Sequence, residues 1–111
     1  MCIRDSIIIL GDTSISESFG VDHGIAAQSI MLGASDAGLG GCMIGSIRRE
    51  ELRKELSIPS AYEILLILAL GKPIEKVIVE EIKDGDVKYW RDNERTHHVP
   101  KRNLDDLILK L

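Results

Sequence analysis

The chain has 111 residues, 44% of them hydrophobic and 29% charged, with a formal net charge of −4. That length allows one domain or part of one, and an acidic balance with no clustered basic face argues against a nucleic-acid partner. The longest apolar run, residues 64–70, falls far short of the ~18 residues of a membrane span.

No signal-peptide pattern opens the chain. The two cysteines, Cys2 and Cys42, cannot build a disulfide framework and point to a reducing, cytoplasmic compartment. An aromatic content of 4% is low for a domain that closes its own core.

Residues 7–10 (Ile-Ile-Ile-Leu) are β-branched and stop at Gly11-Asp12, which predicts a buried strand and a turn. Residues 13–20 are polar and serine-rich, hence loop. From Val21 the period becomes helical, with Asp22 as the predicted N-cap. Ile25, Ser29 and Leu32 recur at helical spacing, as do Ala26, Ile30, Gly33, Ala34 and Ala37. So many small residues leave room for another backbone to pack closely. Gly38 stands where a left-handed residue ends a helix.

Residues 39–46 are glycine-rich and apolar. A second helix is predicted over 47–56, with Glu50 and Lys54 one turn apart and Pro59 ending it. Residues 62–70 read as a strand apolar on both faces, which by itself points to a sheet covered on both sides and an α/β fold. Residues 77–83 are a weaker segment, strand or loop, and 87–91 a short strand. Residues 92–102 read as polar and irregular. Asn103 is the predicted cap of a last amphipathic helix, 104–111, whose Leu104, Leu107, Ile108 and Leu111 need a surface to cover.

Gly38-Leu-Gly-Gly41 lacks the third glycine of a dinucleotide fingerprint, since Met43 stands there, and it follows a helix instead of opening one. A helix cap and a tight turn account for Gly38. They do not account for Gly40, Gly41 and Gly45, which close approach of a flat ligand would explain.

His97 and His98 are adjacent, and adjacent residues seldom chelate one ion. A solvated loop or a local hydrogen bond is the expectation for them, and no metal ligand set is assigned. Cys42 has no neighbouring base or cation to lower its pKa and reads as an inert buried thiol. Lys101-Arg102 has two readings, a solvated pair or a phosphate clamp on a proline-stiffened segment, and composition favours the first.

The stretch Val21-Asp-His-Gly-Ile-Ala-Ala-Gln-Ser-Ile-Met-Leu-Gly-Ala-Ser-Asp-Ala-Gly-Leu-Gly-Gly-Cys-Met-Ile-Gly-Ser46 resembles the central helix and following loop of the nitroreductase family. Leu68-Ala-Leu-Gly-Lys-Pro73, Tyr89-Trp-Arg-Asp92 and His97-His-Val-Pro-Lys-Arg102 extend the resemblance, in family order, from about Ile7 to the end of the chain. Family members are longer and open with an Arg-Arg-Ser-x-Arg-like segment that grips the flavin and has no counterpart here. The chain is therefore expected to be the C-terminal part of such a domain, residues 7–111. Residues 1–6 look unlike the family, resemble translated adapter sequence, and are set apart as a non-native start.

The resemblance implies an α+β fold, a sheet flanked by helices, in an obligate homodimer with flavin mononucleotide (FMN) at the subunit interface. It implies that the small-residue helix packs in the dimer and that the tail wraps the partner. The implied activity is electron transfer from NADH or NADPH, through FMN, to nitroaromatic, quinone or similar acceptors, with no catalytic side chain assigned because the flavin carries the chemistry.

By resemblance, Ile44, Gly45 and Ser46 bind the cofactor near its N5 and O4 edge, and Lys101 with Arg102 meet its phosphate. The alternatives are a flavin-binding protein without turnover, or a fragment inactive alone that holds FMN weakly.

Overall fold

The structure is a computed structural model that describes residues 2–109. The chain divides into two compact units, Met1–Pro73 and Ile74–Leu111.

In the first unit β1 (Cys2–Asp12), α1 (Asp22–Asp36), β2 (Gly40–Ile44), α2 (Arg49–Glu55) and β3 (Tyr62–Lys72) follow in order. The sheet runs β1-β3-β2, and both pairs are antiparallel. This overturns the α/β expectation drawn from the apolar strand and establishes an α+β unit, as the resemblance implied. The physical reason lies in the position of β3. It is the central strand, with α1 packed on the face of Leu70, where Met31 reaches Gly41 and Leu70. On the opposite face α2 flanks Ile44 and Ile67. A strand covered on both faces is apolar throughout whether its neighbours run parallel or not. Ile64 and Leu68 are its fully buried large side chains.

Residues 2–6, set apart on sequence, continue the β1 ladder, from Cys2 opposite Lys72 to Ser6 opposite Ala69; residue 1 lies outside the described residues.

Helix α1 begins one residue earlier than expected. Val21 is its N-cap, without a side-chain cap bond, and Asp22 is the first helical residue. There its carboxylate meets the positive end of the helix dipole. Gly38 ends the helix as expected, at φ +73°. The Gly38 N–H donates to the Ser35 carbonyl and the Leu39 N–H to that of Ala34, at 3.0 and 2.8 Å, a Schellman cap.

Helix α2 is shorter than its predicted span and does not wait for Pro59. Ser57 turns left-handed at φ 52°, and the N–H groups of Ser57 and Ile58 close the same two-bond cap on Lys54 and Arg53.

The second unit holds β4 (Lys76–Glu81), β5 (Trp90–Arg91), β6 (Thr96–Lys101) and the one-turn α3 (Leu104–Leu107). Its sheet is β4-β6-β5, with β4 parallel and β5 antiparallel to β6. Residues 92–102 are thus not irregular, since they contain the central strand of this sheet. Their polar side chains bond across the strands, so an apolar pattern is not what builds the ladder here.

Asn103 takes the N-cap position of α3 without a side-chain cap bond. The helix stops at Leu107, short of its predicted reach, and residues 110 and 111 of that prediction lie outside the described residues.

Candidate functional site

Strand β2 pairs with β3 only as far as Ile44 opposite Ile67, and there the chain leaves the ladder for Gly45 and Ser46. A groove of about 350 Å³ opens at this point, lined by Ile44, Ser46, Ile47, Arg48, Leu52 and Ile67 among others. A Cβ added at Gly45 would meet nothing within 4 Å. Backbone with open space before it is what the close approach of a flat ring requires.

Gly41 is different. A Cβ there would come within 2.7–2.8 Å of the Met31 thioether and Leu70, so its missing side chain makes room for the helix and not for a ligand. Cys42 is exposed, contrary to the buried thiol expected, because β2 is an edge strand of the sheet.

Sequence reasoning missed what holds the wall of this groove. Past Ile44 the carbonyl edge of β3 has no strand beside it, and Arg49 of α2 donates from Nε to the Ile64 carbonyl at 2.8 Å and from Nη2 to that of Leu65 at 3.4 Å. One turn on, Arg53 donates to the carbonyls of Ile58 and Pro59. The two arginines sit four apart on one helix face, but nothing in the sequence says that a strand edge lies beneath them.

The other two expected site residues, Lys101 and Arg102, belong to the second unit, where both are exposed. Lys101 ends β6 opposite Glu81, and its carbonyl accepts from the Ile82 N–H.

The same strand places His97 and His98 on opposite faces of the sheet. His98 is not in a solvated loop, being 9% exposed. Its Nδ1 lies 2.5 Å from Glu80 Oε1 and its Nε2 3.3 Å from Asp92 Oδ2. Its ring stacks on Trp90 with centroids 3.7 Å apart and planes 3° from parallel. The hydrogen bonds that His98 donates to Glu80 and then to Asp92 hold it above the ordinary imidazole pKa, against the opposing effect of desolvation.

Asp92 is lowered, chiefly by the Thr96 N–H and also by His98 and Glu94. On the other face His97 meets Tyr89 edge-on, and Glu75 is lowered by its bond to Arg91.

A family model described as the nitroreductase family matches residues 8–72. That is more than half of the chain, and the chain belongs to this family. Among solved structures it is similar to an FMN-dependent nitroreductase from Clostridium difficile R20291, at 30% identity and a TM-score of 0.58, over 64% of this chain and 46% of that one. It is also similar to a nitroreductase family protein from Clostridium novyi NT, at 27% identity and a TM-score of 0.55, over 61% of this chain and 42% of that one. The chain thus spans less than half the length of either structure.

Proposed function

We propose that this chain is part of an FMN-dependent oxidoreductase that passes electrons from NADH or NADPH to nitroaromatic, quinone or similar acceptors in the cytoplasm. The observation that carries the reading is the open backbone of Gly45 beside the β2–α2 groove, inside the segment that matches the family. FMN would supply the redox chemistry itself.

The task left to the chain is to hold and orient the cofactor. Gly45 and Ser46 present backbone to the ring edge, and Ile44 and Ile67 give an apolar wall that keeps water from it. Lys101 and Arg102 supply charge for a terminal phosphate. No general base is needed, so the lack of an assigned catalytic side chain is consistent with turnover.

A homodimer is part of the same proposal. Helix α1 buries Ala27 and Ala34 against its own sheet, while Ile25 and Leu32, seven residues apart, are each 62% exposed on its far side together with Gly33. Ala27 and Ala34 therefore serve the fold of this unit, and Ile25, Leu32 and Gly33 are the residues free to meet a partner.

The test is a pair of titrations, FMN and riboflavin, on the apo-protein and on its Lys101→Ala/Arg102→Ala variant. Loss of one charge-assisted contact is worth ~1.5–3 kcal/mol, roughly ten- to a hundred-fold in affinity. The expected result is that loss for FMN and almost none for riboflavin, which has no phosphate. Equal losses for both would assign the pair to folding or assembly, and no loss for either would leave it a solvated pair.

A further inference from the structure

Both ring nitrogens of His98 face carboxylate oxygens, Glu80 at 2.5 Å and Asp92 at 3.3 Å. Neutral imidazole has a single N–H, so one of those carboxylates would then confront a lone pair; only the imidazolium donates to both. The two carboxylates come from different places in the second unit, Glu80 from β4 and Asp92 from the turn between β5 and β6. Asp92 also accepts at Oδ1 from the N–H groups of Glu94 and Thr96, at 2.8 and 2.9 Å, so the turn is itself built on the carboxylate that His98 engages. Trp90 of β5 covers the ring in parallel stack, the arrangement in which a cation gains most from an indole face.

The charges that bear on the ring can be named by element. From β4 they are Glu80 and, on the same face two positions before Ile78, Lys76. From the β5–β6 turn the charge is Asp92, and from the 82–89 segment Lys83, Asp84, Asp86 and Lys88 share a groove with Glu80, Trp90 and Pro100. The neighbours of His98 along its own strand face, Thr96 and Pro100, carry none. Arg91, His97 and Glu75 interact on the opposite face.

We propose that His98 is a positioning residue that latches the second unit: as a cation it ties β4 to the β5–β6 turn beneath Trp90, and loss of one proton releases one of the two carboxylates. The latch sits on the strand that carries Lys101 and leads into Arg102, so it sets the pH range in which those two cations are held in place. That consequence rests on the phosphate reading above; the latch itself does not.

Trp90 is the single tryptophan of the chain, and a protonated imidazole in stacking contact quenches indole emission. The experiment is a pH titration of Trp90 fluorescence on the 111-residue chain, wild type and variants. Wild type is expected to brighten as pH rises through one transition with its midpoint above 6.5, the ordinary histidine value. His98→Gln should abolish the transition and His97→Gln should leave it in place. Glu80→Gln and Asp92→Asn keep the ring and the stack but remove one charge each, so each should move the midpoint down.

A wild-type midpoint at or below 6.5, or a transition that persists in His98→Gln, overturns the proposal. So does a midpoint that neither carboxylate variant moves, a readout that survives even if His98→Gln does not fold. None of these outcomes depends on flavin, so the latch can fail while the phosphate reading stands, and the reverse.

Discussion

Three glycines show how one residue type serves opposite ends. A Cβ at Gly11 would fall 2.5–2.7 Å from the ring carbons of Phe19, and a ring cannot yield as a flexible chain end does. At Gly41 the near atoms are the tip of Met31 and a Leu70 methyl, which can shift. At Gly45 there is open space. Gly45→Ala should therefore leave thermal stability within ~0.5 kcal/mol of wild type while weakening FMN binding, since the new methyl points where the ring is proposed to lie. Gly11→Ala should cost about 1–3 kcal/mol through overpacking. Thermal melts and flavin titration of the two variants check this, and a Gly45 variant that binds FMN as wild type does would remove the ring from this groove. On sequence alone Gly41 and Gly45 read alike, because the string of letters does not say which neighbour each one faces.

At the scale of elements, the two helices of the first unit end by the same hydrogen-bonded cap, one with Gly38 in the left-handed position and one with Ser57. Glycine there is a legible signal; serine is not, and so the sequence points to Pro59 for the end of α2. A non-glycine residue in the left-handed conformation carries a penalty of roughly 1–2 kcal/mol. Ser57→Gly should recover part of it, about 0.5–1 kcal/mol after the greater freedom of glycine in the unfolded chain is deducted. A higher urea midpoint by far-ultraviolet circular dichroism is the expected result, and a lower one would mean that the serine side chain contributes more than the backbone loses. Strand β6 was illegible for a different reason. It is a central strand whose own side chains are mostly polar, with His98 bonded to Glu80 and Asp92, and sequence patterns detect strands through apolar alternation.

At the scale of the whole molecule, the charged contacts of the second unit give its stability a pH window. Asp92 and Glu75 are lowered from 3.8 and 4.5, so what they contribute is complete above those values and is lost as pH falls through their folded pKa values. His98 is raised from 6.5, so its contribution is complete below 6.5 and is lost as pH rises through its folded pKa. The urea midpoint read from Trp90 emission should accordingly be highest between pH 4.5 and 6.5 and fall on both sides; a midpoint flat across that range and beyond would show that these bonds do not hold the unit. The residues by themselves determined the family, the central helix with its Gly38 cap, and an apolar strand at the core, since these rest on local periodicity and on a motif order that survives without coordinates. Only the tertiary structure decided that the strands of the first sheet run antiparallel, that His98 forms a cross-strand clamp, and that Arg49 closes an open strand edge. Each of those depends on which groups meet across a distance in sequence, and the energy of a hydrogen bond or an ion pair resides in that meeting rather than in either residue alone.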